Sequence, residues 1–393
     1  PLMTSKDKND YINEFKRIAS LHRPFYPANE SKGYFVASHD MEGWILAGQL
    51  PQGIAIYNEN QVMYEAAEKV VLNKIVPTLN FYSKAHRHHQ GDSYGGSRSI
   101  YELFGRLLYS ALGYTDLLNK DHRYVPYQFV YNLRPDLQQM RSGDGYDPRG
   151  NNETKGTLFF LSGGLYKDPT LLSMQNFKKH FGLRLLKNSD WSALTSVFYL
   201  ITLPFNLKLK RQIDLPESKY FPSPMGEIVA RTGWDISNTS DDAIVHMRIG
   251  EYFFYSHQRK DFGIFQIYYK GTLTMTSGAY TVYQNDHFLN YHHQTISHNG
   301  LLIYNPSESH KWQNKHTLSN DGGQYCPYSI SPRNIEDLKQ NKMGEVLARE
   351  ISYDNQKSVY SYISGDITKA YTSKVEKVTR SMVTFNTGES RFP

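Results

Sequence analysis

The sequence predicts a two-part α + β chain, an all-helical array followed by an antiparallel β-sandwich, and three observations predict it. Apolar residues recur at helical spacing through the first half, prolines crowd the stretch after Pro204, and beyond it apolar and polar residues alternate with a period of two. A chain of 393 residues exceeds one usual domain, so two packed cores are expected.

The helices come first. Tyr11, Phe15, Ile18 and Leu21 share one helical face, as do Met63, Ala67, Val70, Val71 and Ile75. The clearest stripe is Ile100, Leu103, Phe104, Leu107, Leu108 and Ala111 on a helix starting near Ser99, with Gly113 placed to end it. A further helix carries Trp191, Leu194, Val197, Phe198 and Ile201, and Pro204 stops it. The stretch from Ser142 to Asn152 reads as a polar loop. Pro216, Pro222 and Pro224 then mark the change of texture. The expected boundaries are a helical part over 1–205, a linker over 206–225 and a sheet part over 226–393. In the sheet part Val245, Met247 and Ile249 alternate with polar neighbours, Phe265, Ile267 and Tyr269 do the same before a turn at Lys270-Gly271, and Leu302 and Tyr304 continue the pattern.

Composition narrows the function. Lys+Arg 44 against Asp+Glu 38 gives a formal charge of +6, mildly attractive to anions, but no dense basic stripe speaks for nucleic acid. No apolar run approaches the roughly 20 residues a membrane helix needs. The single cysteine, Cys326, says nothing about compartment. Aromatic residues make up 14%, with 31 tyrosines, whose flat faces and hydroxyls suit sugar rings as well as a β-sandwich surface.

Three segments concentrate titratable and aromatic groups. In Ser38 to Trp44, His39 and Glu42 lie three apart and would share a helical face. His86 to Arg98 reads as a loop opening onto the strong helix and holds His89, Gln90, Tyr94 and Arg98. Tyr255 to Gly263 reads as a loop between strands and holds His257, Arg259 and Asp261. Segments from both parts of the chain meet most naturally in a cleft between domains, where ligand sites are commonly built.

From Val36 to about residue 385 the chain resembles heparinase II and the heparinase II/III-like polysaccharide lyases. The resemblance rests on ordered islands: His39 with Glu42; His89-Gln90-Gly91 followed by Ser93-Tyr94 and Arg98; Ser223-Pro224 through Ala230-Arg231-Thr232-Gly233-Trp234; Phe265 to Gly271; Ser277-Gly278 and Tyr280; Thr295-Ile296 and His298-Asn299 with Leu301 to Tyr304; Asp321 to Gln324; and Gly365 to Thr368. It implies an (α/α) toroid, incomplete at its N-terminal side, ahead of a β-sandwich that continues past Phe385 in the family. It also implies a secreted or periplasmic enzyme, compatible with a homodimer, that cleaves an acidic uronate-containing glycan such as heparan sulfate by β-elimination.

Such chemistry must neutralise the substrate carboxylate, remove the C5 proton and protonate the leaving oxygen. By the resemblance Tyr94 is base and also acid, His257 is a base from the opposite face of the sugar, and His39 meets the carboxylate with Glu42 sharing a proton there. A phenol with an ordinary pKa near 10 needs cationic company, and Arg98, one turn along, supplies it. His89, Gln90, Arg259, Tyr280, His298 and Asn299 are the expected substrate contacts. The family's sandwich zinc site has two histidines and an aspartate. Of these only His298 is retained, with Arg259 and Thr276 at the other positions, so no cofactor is expected. Arg259, paired with Asp261, is expected to supply the positive charge instead.

Other readings compete. Ulvan or another uronan would serve the same chemistry, and a non-catalytic relative would only bind the glycan. A glycoside hydrolase needs two carboxylates astride the bond, whereas these segments are dominated by His, Tyr and Arg. A metal-dependent hydrolase would be built on His292, His293 and His298.

Overall fold

The computed structural model describes residues 3–21, 41–114, 117–145, 152–177, 197, 200–202, 213–312, 315–327 and 332–387. Helices fill the described part of the chain before residue 178, and antiparallel strands dominate after residue 217.

The first helix, Ser5–Leu21, buries Ile12 and Ala19 with Phe15 beside them, while Tyr11 and Leu21 face water. The expected face is thus rotated, because Ile12 and Ala19 carry the i, i+7 repeat. Met63, Ala67 and Val70 lie buried on Gln61–Val70, which runs through a π turn at Val71–Ile75 into Val76–Tyr82. Most of the helix expected around Trp191 to Ile201 lies outside the described residues.

The strong helix starts eight residues earlier than its apolar stripe suggests and spans Gly91–Ala111. Glycines at 91, 95 and 96 hide that start, since glycine disfavours helix interiors. Two of them have a packing reason. Gly91 has φ +77°, and a Cβ there would lie 2.0 Å from the Ser142 carbonyl oxygen. A Cβ on Gly95 would press to 3.1 Å from that of His88. At the other end Gly113 takes φ +93° beyond Leu112, the expected stop.

Five strands form an antiparallel meander in the order β1-β2-β3-β4-β5: Ser218–Phe221, Glu227–Arg231, Ala243–Arg248, Ile264–Tyr269 and Thr272–Thr274. β1 lies inside the stretch read as linker, so the sheet begins earlier than expected. A two-stranded hairpin pairs β6 (Lys311–Trp312) with β7 (His316–Thr317), and β8 (Glu345–Asp354), β9 (Lys357–Asp366) and β10 (Thr379–Phe385) make a second antiparallel sheet. Leu302 and Tyr304 lie in no strand and are exposed.

Register shows how the meander is used. Glu227 pairs with Arg248, Val229 with His246, and His246 with Gln266, which puts these side chains on one face. The opposite face carries Ile228 and Met247, in one apolar cluster with Ile363 of β9. The mixed face meets the helical half: Arg231 Nη1 donates to the carbonyls of Tyr131 and Leu133, Gln266 Nε2 donates to the Arg141 carbonyl, and Arg87 pairs with Glu227 at 3.1 Å.

Candidate functional site

Three backbone segments interlock where the halves meet. Asp92 N–H donates to the Ser142 carbonyl at 3.0 Å, and Asp144 N–H donates to that of His257 at 3.2 Å. Gly143, with φ +63°, sits where a Cβ would come within 2.6 Å of the Gln90 oxygen and 3.0 Å of the His257 oxygen. Only a residue without a side chain lets the chains approach so closely. The segment around Tyr94 is therefore largely helix rather than loop, and its side chains are aimed by a rigid first turn.

Tyr94 is half-buried on that turn and packs against the sheet-side core. Its ring lies face to face with His257, centroids 3.6 Å apart and planes 12° from parallel. Tyr280 meets both rings edge-on at 6.2 Å. The Arg98 guanidinium, four residues along the same helix face, lies 5.7 Å from the Tyr94 ring centroid and 5.9 Å from that of Tyr101. Arg98 is buried. Two rings 3.6 Å apart leave no room for a sugar between them. The expected attack by Tyr94 and His257 from opposite faces of one sugar is therefore not offered by this arrangement; both present themselves from one side.

His257 is held from behind. Its Nδ1 lies 3.0 Å from Asp144 Oδ2, and His292 Nε2 lies 3.0 Å from Asp144 Oδ1. Arg259 Nε stands 3.6 Å from the same Oδ1. Burial of Asp144 works to raise its pKa, but hydrogen bonds from the two imidazoles and the Arg259 charge outweigh it and hold the carboxyl far below the usual range. His257 itself has φ +58° and Tyr255 φ +81°, left-handed values that non-glycine residues keep only where surrounding contacts enforce them.

The other expected residues are distributed as follows. His89 is buried in a stack, 4.8 Å from the Phe254 ring and 4.6 Å from His88. Gln90 is fully buried just ahead of the helix start, its N–H donating to His88 Nδ1 at 3.1 Å. Asn299 is half-buried, and its carbonyl accepts from Arg380 at 2.9 Å. His39 lies outside the described residues, as does the side chain of Glu42, whose backbone belongs to the helix Met41–Trp44.

Arg259 does not take Asp261 as its hydrogen-bonded partner. Asp261 accepts from Arg248 Nη1 at 2.9 Å, and Arg259 turns to Asp144 instead. The alternation that would have paired them needs a regular strand, and β4 begins only at Ile264.

The residues do not fit the family's zinc. Burial, and then the neighbouring Arg259 charge, push the His298 imidazole far below its ordinary pKa. A cation beside His298 would face that guanidinium, and Thr276 offers a hydroxyl in place of a carboxylate. Among the described residues no three His, Cys, Asp or Glu side chains converge as ligands. His292 gives Nε2 to Asp144, and His293 is wedged against Phe288 and Trp312 with its pKa pushed down to about 3 by burial. That breaks up the metal-hydrolase constellation of His292, His293 and His298.

Sequence reasoning missed Asp144, which passed as one acid in a turn-forming loop. The signal was the pair of glycines around it in Ser142-Gly143-Asp144-Gly145, a spacing suited to close backbone approach. It also missed Asp92, a buried carboxyl whose pKa burial raises despite the charges of Lys155, Arg259 and Arg141.

A helical half and antiparallel sheets thus meet at a cluster of Tyr94, His257 and Asp144. Among solved structures the chain is similar to heparinase III, with 12% identity, a TM-score of 0.47, and coverage of 88% of this chain and 47% of that one. It is also similar to the heparan sulfate lyase HepC from Pedobacter heparinus, with 12% identity, a TM-score of 0.48, and coverage of 87% and 43%. The chain spans less than half the length of either. No family model matches the chain, and no curated protein does.

Proposed function

We propose that this protein is a polysaccharide lyase that cleaves an acidic, uronate-containing glycan by β-elimination. The observation that carries the reading is Tyr94, half-buried beside Arg98 and stacked on an imidazole that Asp144 anchors. A phenol becomes useful as a base where positive charge and oriented dipoles stabilise its anion, and Arg98 provides that charge within 5.7 Å.

In the reaction, the Tyr94 phenolate takes the C5 proton. The C5–H electron pair becomes the C4–C5 double bond, and the C4–O bond breaks with its pair on the leaving oxygen. That oxygen then receives a proton from Tyr94, or from His257 when the imidazole carries one. His257 contributes from the same side as Tyr94. Arg259 supplies fixed positive charge without a metal. The formal charge of +6 favours a sulfated or densely acidic chain, such as heparan sulfate or a related glycosaminoglycan. Ulvan and other uronans have the same reacting unit.

The test is incubation with a panel of acidic glycans while following the ultraviolet absorbance of a 4,5-unsaturated uronate. Elimination raises that absorbance in step with new chain ends. New reducing ends without it would mean hydrolysis and overturn the reading, and binding with neither signal would make the protein a glycan binder.

A further inference from the structure

We propose that Asp144 is a positioning residue that fixes which nitrogen of His257 carries the proton, turning Nδ1–H inward and leaving Nε2 as the nitrogen that exchanges protons. The proposal rests on the reading of Tyr94 and His257 as the proton-transfer pair.

The geometry assigns each carboxylate oxygen its own imidazole. Oδ2 lies 3.0 Å from His257 Nδ1, and Oδ1 lies 3.0 Å from His292 Nε2. Arg259 Nε, at 3.6 Å, is beyond ordinary hydrogen-bond length, so the imidazoles rather than the guanidinium hold the oxygens. An ionised carboxylate only accepts, so each ring nitrogen facing it must bring the proton. The tautomer of His257 then follows from the network.

Two further features say that this contact orients the ring and does more than fill space. Asp144 N–H also binds the His257 carbonyl at 3.2 Å, so side chain and main chain of one residue grip side chain and main chain of the other. His257 adopts φ +58°, a left-handed conformation that a non-glycine residue keeps only where contacts over-determine it. The outer face of the imidazole is covered by Tyr94, with Tyr280 at its edge and Tyr283 tilted at 6.4 Å. Among the described residues the titratable and charged groups around His257 include Tyr94, Tyr280, Tyr283, Asp144, His292 and Arg259. Asp144 is the carboxylate whose oxygen meets its ring nitrogen. When His257 takes a proton, the new imidazolium keeps its Nδ1–H on Asp144 and holds the added proton on Nε2.

The experiment uses the full chain with 15N-labelled histidine. Long-range 1H–15N spectra near neutral pH report which ring nitrogen is protonated, and a His257→Gln chain assigns the signal. The wild type is expected to carry the proton on Nδ1. Asp144→Asn can donate its amide to Nδ1, which moves the proton to Nε2. Turnover should then fall about 10²- to 10⁴-fold, the range a positioned base supplies, with KM little changed. Asp144→Glu, which keeps a carboxylate, should restore the Nδ1 proton and part of the turnover. A wild-type proton on Nε2 overturns the proposal, as does an Asp144→Asn chain with unchanged tautomer and turnover. Should the tautomer be as expected while no acidic glycan is cleaved, the anchoring role survives and the lyase reading fails. The wild-type spectrum is decisive even where a variant does not fold.

Discussion

Among the described residues two buried carboxylates grip two imidazoles each, one inside the helical half and the other across the seam between the halves. Glu102, inside the helical half, accepts from His122 Nε2 at 2.8 Å and from the Tyr82 hydroxyl, and pairs with His88 Nε2 at 3.3 Å. All its partners lie on neighbouring helices or loops within twenty positions of it. Asp144 holds His257 and His292, which lie 113 and 148 positions away across the seam between the halves. The chemistry of the two clusters is nearly the same. They differ in what the imidazole touches next: His122 meets the half-buried Tyr166 hydroxyl at 3.1 Å and His88 stacks on His89, whereas His257 lies face to face with Tyr94 from the other half of the chain. A cluster built across the seam sets its imidazole against a side chain of the other half, which a cluster built within one half does not do.

The comparison can be broken or sharpened by experiment. The largest effect on chemistry is expected from Tyr94→Phe, which keeps the stack on His257 and removes one oxygen; kcat should fall about 10²- to 10⁴-fold with the melting temperature barely moved. An active Tyr94→Phe enzyme would require another base. Glu102→Leu should cost stability instead, on the order of 3–5 kcal/mol, because two imidazoles and a phenol lose their buried partner. Denaturant titration reads that loss. The Glu102 carboxyl is driven upward by burial but more strongly downward by its bonds from His122 and His88, so its folded-state pKa lies below the ordinary 4.5. The wild-type advantage is then complete above about pH 4.5 and drains away as pH falls below it.

Smaller effects follow at the seam. Gly91→Ala places a Cβ 2.0 Å from the Ser142 oxygen at φ +77° and should cost more than about 1 kcal/mol while shifting the Tyr94 turn, lowering both the melting temperature and turnover. Arg98→Met keeps much of the side-chain volume and removes the charge over the Tyr94 ring, an interaction worth roughly 0.5–2 kcal/mol, so turnover should drop about 2- to 30-fold. Smallest of all, treatment with a chelator should leave turnover unchanged. Stoichiometric zinc bound through His298 in metal analysis would reverse the assignment of Arg259.

Much of the architecture was legible because it rests on local periodicity. Met63, Ala67 and Val70 point inward as their spacing says, and Gly113 ends its helix where a left-handed residue is needed. The start of the central helix was not legible, because Gly91, Gly95 and Gly96 contradict helix propensity locally, and Gly91 answers to Ser142, distant in sequence. The inward positions of β4 also escaped the alternation rule. Ile264, Gln266 and Tyr268 are the buried ones, while Phe265 and Ile267 are half-covered by the second sheet. A sheet packed on both faces gives no polar side by which to read its direction. At the site, Tyr94, His257 and Tyr280 come together as the sequence suggested, whereas Asp144 could not be singled out: its partners are fixed by tertiary folding alone. Arg259 was placed against the wrong acid because strand geometry was extended into a loop.

The mixed face of the five-stranded sheet bears on how the seam between the halves is held. Glu227 and Gln266 meet the helical half through Arg87 and the Arg141 carbonyl, an ion pair and a hydrogen bond that water can replace in kind. Ile228 and Met247 on the other face have no such substitute. The mixed face also carries Val229, Ile244 and Tyr268, which pack with Tyr131 and Met140 of the helical half, so the seam is closed by apolar contact as well as by ions.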